Sequence, residues 1–427
     1  MQVFDLRLHA DPSRVVLRPF HLGWQGMGGD RARAAKLVED VIALSEEQAA
    51  GEYAEVLRDF AERHWQTEKL FEDRYAEIEI MLDLQEQPIS LSRKRLIGAY
   101  FCHEYTYAAA ALMNPSIVPH PDQSGMNDGA VRFVMSLRAV GEGHISSIAF
   151  REGIATADGK FDLWPQSHFA TSMLPDDSGI ACKGGECAVT VHRDPDSTLS
   201  NSVIFPITEK QAGGLEDLRL VRFDHGGGDY EWIGTYTAYS GSAIRSELLR
   251  TRDFRSIALE PIEGRAGRNK GMALFPQKID GQYCMVGRQD GKNLFLLRSD
   301  SLERWDDEGV LLMEPEFPWE FVQIGNCGSP ILIDEGWLLL THGVGAMRRY
   351  AVGCALLDRD DPSKVIARAN KPLLTATDAD RFGYVPNVVY TCGALLVGEQ
   401  ILVPYGISDS AVGFATQTVA ELLDSMR

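Results

Sequence analysis

Along the chain the apolar positions change period once. From residue 30 to 112 they recur at helical spacing: Ala35, Val38, Val41, Ile42 and Leu44 make one stripe, and Tyr53, Val56, Leu57 and Phe60 a second. The stretch 96–112 is a third, largely apolar segment, and Gln87-Pro88 marks a turn. Three or so helices are predicted here. Before them, residues 13–20 (Ser-Arg-Val-Val-Leu-Arg-Pro-Phe) predict a strand able to join a later sheet, and residues 23–29 a glycine-rich flexible connection. Beyond Asn114-Pro115 the pattern becomes short strands separated by tight turns. That places a boundary near 112, with an N-terminal strand and helical extension over 1–112 and a β domain over 113–427.

Within the β domain a unit recurs: an aromatic opens a strand, a polar residue follows five places on, then come a turn and a second strand. Phe133 leads to Arg138, Trp232 to Thr237, Tyr283 to Arg288 and Trp337 to His342, with a looser fifth copy around Ile401 to Gly406. Trp232, Tyr283 and Trp337 are 51 and 54 residues apart. A period near 50 with several short strands per unit predicts β-propeller blades, and five copies predict five blades. The competing architecture is a β-sandwich. An odd offset puts the aromatic and the polar residue on opposite sheet faces, so one face packs while the other offers polar groups to a channel. The apolar helical stripes must be covered too, by the flank of the propeller or by another subunit.

Composition narrows the partners. With 42 basic and 61 acidic residues the net charge is −19, which argues against a broad nucleic-acid or membrane surface. No apolar run is long enough to span a membrane, and the first residues lack a secretory apolar region. Seven scattered cysteines fit a reducing cytoplasm. Cys182 and Cys187 are close, but no second pair or histidine cluster completes a metal site, so no metal is expected.

The most informative chemistry is Gly214-Leu215-Glu216-Asp217-Leu218-Arg219, a pair of carboxylates and an arginine opening a strand. Such a carboxylate can be held in one orientation and one protonation state, as a catalytic acid requires. Such an acid works with a group delivered opposite it: a second carboxylate, such as Glu247 or Glu320, activates water, whereas cations hold an anionic nucleophile such as phosphate. Arg250, Lys270, Arg288 and His342 are the basic candidates.

The ordered set Asn114-Pro115, Glu216-Asp217-x-Arg219, Asn269-Lys270, Leu274-Phe275-Pro276, Asp280-Gly281-x-Tyr283, Gly336-Trp337, His342-Gly343-Val344, Pro386-Asn387-Val388-Val389 and Tyr405-Gly406-x-x-Asp409 resembles glycoside hydrolase family 130 over about residues 113–427. Leu218 departs from the proline common at that place in the family. The resemblance implies a five-bladed propeller, mainly β, and an inverting β-mannoside phosphorylase. Such an enzyme takes a β-linked mannose oligosaccharide, with inorganic phosphate as co-substrate and no cofactor. It implies Asp217 as general acid, passing its proton through the 3-hydroxyl of the mannosyl unit. It also implies Arg250 and Lys270 as phosphate ligands and Asp409 as a sugar contact, and the channel-facing blade positions of Arg288 and His342 add them to the expected phosphate site. Asn114, Arg138 and Tyr239 complete the expected sugar contacts, Asn326 is a further candidate, and a homo-oligomer is expected. The alternatives are a β-mannosidase or a mannosyltransferase on the same fold, or a non-catalytic propeller that binds glycans or proteins.

Overall fold

The computed structural model describes residues 1–22, 31–183 and 186–426; the expected connection at 23–29 lies outside them. The chain divides into two units. One contains Pro12–Tyr107 with Ser167–Thr171, and the other Met1–Asp11, Ala108–Gln166 and Ser172–Arg427. The division therefore falls after Tyr107 and not at 112, and the first eleven residues go with the β unit.

The smaller unit holds four helices, Arg31–Ile42, Glu46–Phe60, Thr67–Leu82 and Leu91–Tyr100. Ser45 starts the second by a reciprocal cap: its hydroxyl accepts from the Gln48 amide, and the Gln48 side chain accepts from the Ser45 amide. The first stripe is buried at Val38 and Val41 as expected, but the second helix turns Ala49 and Tyr53 inward and leaves Phe60 exposed. The apolar stretch 96–112 is not one helix. It breaks after Tyr100 into the strand Cys102–Thr106. The expected strand near 13–20 forms as Val15–Pro19, yet it pairs with Cys102–Thr106 and joins no sheet of the β unit.

In the β unit all five sequence-read hairpins form as antiparallel pairs. Ala130–Val140 pairs with Ser146–Thr156, Asp229–Tyr239 with Ile244–Thr251, and Tyr283–Gly287 with Leu294–Ser299. Gly336–Val344 pairs with Tyr350–Leu357, and Gln400–Ile407 with Ala411–Thr418. One parallel pair, Gly214 with Ser146, links the first two groups into a twelve-stranded sheet. The strand that completes the last sheet comes from the N-terminus: Gln2–His9 pairs with Ala411–Thr418. Phe133, Trp232 and Trp337 are buried and Tyr283 is half-buried, so the aromatic-first positions pack inward. Cys182 and Cys187, opposite each other on one hairpin, form a disulfide, so the cysteines are not all free as the scattered spacing suggested.

Candidate functional site

A break in strand regularity builds the acidic end of the site. Gly214–Gly226 shifts register between Glu216 and Arg219, and Asp217 takes a left-handed backbone with φ 55°. In an unbroken strand, neighbouring side chains point to opposite faces. The bulge instead lets both carboxylates reach one guanidinium: Arg138 donates from Nη2 to Glu216 at 2.6 Å and from Nη1 to Asp217 at 3.2 Å. Ser146 accepts from Arg138 Nε at 2.8 Å, which fixes the fork. Leu218, in the place of the family proline, is buried in the core beneath the bulge.

Asn114, itself left-handed at φ 50° on a second bulge, donates its side-chain amide to Asp217. Arg219 donates from Nη1 to the Asp217 carbonyl at 2.9 Å and from Nη2 to the Tyr390 hydroxyl at 2.5 Å. Burial alone would raise the Asp217 carboxyl, but Arg138, Arg219, the Asn114 hydrogen bond and Lys270 together hold it below the usual range. For Glu216, burial outweighs Arg138 and raises it. The two adjacent carboxyls are thus driven apart. Asp409, on the left-handed turn of the last hairpin, is raised to about 6 by burial and by the charge of Asp217.

A second group of side chains keeps polar capacity to spare. Lys270 and Arg288 make no hydrogen bond or ion pair among the described residues, although the charge of Lys270 is felt at Glu216 and Asp217. Asn326 is buried with both side-chain polar atoms unsatisfied, and so is Nδ1 of His342. The imidazole stacks on Tyr350 at 5.7 Å and meets Tyr390 edge-on at 4.8 Å. Gly325 makes room for it, since a Cβ there would lie 2.1 Å from its ring. Burial and the nearby Arg288 and Arg219 lower the His342 pKa, which favours the neutral imidazole over the cation expected from its blade position.

The structure separates one expected residue from this group and engages another. Arg250 pairs in register with Ile233, which pairs with Val221, so it lies roughly 10 Å along the sheet from the bulge. Its fork is occupied by Glu231 at 2.8 Å, Glu303 at 3.1 Å and Glu260 at 3.5 Å. Tyr239 lies at the correct end of its strand, but its hydroxyl turns back to the Gly241 carbonyl at 2.8 Å. Thus Asn114, Arg138, Asp217, Lys270, Arg288, His342 and Asp409 remain. Tyr390 is the member that sequence reasoning missed, although it directly follows the Pro386-Asn387-Val388-Val389 motif. Among the described residues, no three His, Cys, Asp or Glu side chains are placed to hold a metal ion.

A solved structure described with family 130 glycoside hydrolases that target beta-1,2 mannosidic linkages in Candida mannan has a TM-score of 0.54 at 19% identity, covering 74% of this chain and 87% of that one. The chain belongs to glycoside hydrolase family 130: residues 196–427 match the family model described as beta-1,4-mannooligosaccharide phosphorylase. It is 34% identical over 230 residues to a 1,2-beta-oligomannan phosphorylase of Thermoanaerobacter sp., covering 51% of this chain and 72% of that protein. A beta-1,2-mannobiose phosphorylase of Listeria innocua is 29% identical over 231 residues, covering 52% of this chain and 63% of its own.

Proposed function

We propose that the protein is an inverting β-mannoside phosphorylase built on a five-bladed propeller, converting a β-linked mannose oligosaccharide and phosphate to α-mannose 1-phosphate and a shortened sugar. The observation that carries this reading is the pair of cations Lys270 and Arg288, which make no ion pair among the described residues, with the unsatisfied Asn326 and the His342 imidazole, in the same region as Asp217. Cations left without an ion pair in a protein of net charge −19 are suited to an anionic co-substrate. The relatives named as phosphorylases support the same reaction. The five hairpins in series, closed by a strand from the N-terminus, support the propeller.

The two carboxylates expected to activate water in a hydrolase, Glu247 and Glu320, are engaged elsewhere. Glu247 accepts from Tyr236, Gln211 and Arg245. Glu320 accepts from Arg368 at 2.6 Å and from the backbone amides of Glu316 and Phe317. In the proposed reaction a phosphate oxygen attacks the anomeric carbon from the face opposite the leaving oxygen. As the glycosidic bond breaks, Asp217 supplies the proton through a mannosyl hydroxyl. Arg138, Arg219 and Lys270 hold Asp217 as a carboxylate. A phosphate dianion beside Lys270 and Arg288 offsets the pull that keeps it so, and arrival of the co-substrate thereby promotes protonation of the acid.

The five remaining cysteines are free thiols, four of them buried, and we assign the protein to the cytoplasm as a homo-oligomer. No helix among the described residues is long and apolar enough to cross a membrane. The decisive experiment is incubation with β-1,2- and β-1,4-mannosides with and without phosphate. Phosphate-dependent release of mannose 1-phosphate is expected. Full-rate cleavage without phosphate would establish hydrolysis instead.

A further inference from the structure

The turn that presents Asp409 carries a second feature on its outer side. Gly383 lies against it so closely that a Cβ would sit 2.5 Å from the Ser408 carbonyl oxygen. The Tyr384 amide donates to Ser410 Oγ at 2.6 Å, and the Val385 amide to the Ser408 carbonyl at 3.0 Å. Across the gap, the Tyr384 hydroxyl meets His144 Nδ1 at 3.2 Å. Tyr384 is therefore clamped by backbone and side chain at a fixed place relative to Asp409, whose carboxyl feels the charge of Asp217.

Exposure rises outward along this path. Asp217 and Asp409 are largely enclosed, Tyr384 is 49% exposed, and Phe382 is 85% exposed with no ring contact among the described residues. A large apolar ring left in water beside a polar site calls for an occupant. Carboxylates that can bind hydroxyls, followed by aromatic faces that can bind the apolar face of a ring, match the two sides of a pyranose. The mannosyl unit being transferred must lie at Asp217, so the next sugar outward is the one released.

We propose that Phe382 and Tyr384 form the platform on which the leaving sugar stacks, or the acceptor sugar in the reverse reaction. This assignment rests on the mannoside-cleaving reading of the same site and sets how the enzyme selects the second sugar. Phe382 and Tyr384 are specificity-determining and take no part in proton or phosphate chemistry.

The test is a calorimetric titration, which needs no turnover, with β-1,2-mannobiose and with methyl β-mannoside as the one-sugar probe. Phe382→Ala and Tyr384→Ala should each weaken mannobiose binding by about three- to tenfold and leave the one-sugar probe within about twofold of wild type. Unchanged mannobiose affinity, or an equal loss for both probes, overturns the platform. A variant altered only in its association state by light scattering also overturns it, by making the patch a contact between copies of this chain. If wild type binds mannobiose and the variants lose that binding, yet no mannose 1-phosphate forms, the platform stands and phosphorolysis alone fails.

Discussion

A single left-handed residue determines the chemistry available here. Asp217 reaches Arg138 together with Glu216 only because its backbone leaves the strand conformation, and that geometry separates the two carboxyls in acidity. Asp217→Asn should lower the release of mannose 1-phosphate by at least the ~10²-fold typical of losing a general acid, with the fold intact by circular dichroism. If Glu216→Gln is the variant that loses turnover while Asp217→Asn retains it, the roles are reversed. Asp409 gives a prediction with a definite pH sign. Its carboxyl is raised to about 6 from the usual 3.8, so the fold favours the neutral form. Its contribution to stability is present at low pH and is lost as pH rises through about 6. Asp409→Asn should therefore melt above wild type at pH 8, and the difference should close near pH 4; thermal melts at the two pH values check this.

At the scale of strands, position along the ladder separates residues that look alike in sequence. Arg250 and Lys270 are both basic residues in family-like motifs, but one ends a strand far from the bulge and the other lies near it. Lys270→Ala should raise the phosphate KM by roughly ten- to a hundredfold, the worth of one charge-assisted contact, with the mannoside KM little changed. Arg250→Ala should leave the phosphate KM alone. It should instead destabilise by about 1–3 kcal/mol, because Glu231, already buried, loses its fork. Initial-rate kinetics and melting of the two variants distinguish the cases, and a phosphate defect in Arg250→Ala would reject this assignment. The repeat reading located the five hairpins it named because alternation and turn chemistry are local, and missed others such as Leu174–Lys183 with Glu186–His192. It could not say which strand end faces Asp217, since that depends on register across three strands.

Across the whole molecule, the two ends of the β unit meet in one sheet. Deleting Met1–Asp11 removes Gln2–His9 and uncovers the edge Ala411–Thr418. The shortened protein should melt lower by roughly 5 °C or more and aggregate on standing, as an unpaired edge strand does; melting and light scattering measure both effects. That closure was assigned in sequence to residues 13–20, because their apolar run is the stronger strand signal. Pairing with Cys102–Thr106 claims it, and the more polar Gln2–His9 takes the edge. What the sequence determined alone was whatever rests on neighbours along the chain: the helical and hairpin periods, the caps, the acid beside an arginine, and the motif order that identifies the family. Only the tertiary structure decided which charges remain unpaired. An arginine becomes a structural tie or an anion ligand according to the carboxylates that distant segments bring to it. Arg250 meets Glu231, Glu260 and Glu303, whereas Lys270 and Arg288 make no ion pair among the described residues. Charge pairing acts through space over a few ångströms, and no local pattern carries that distance.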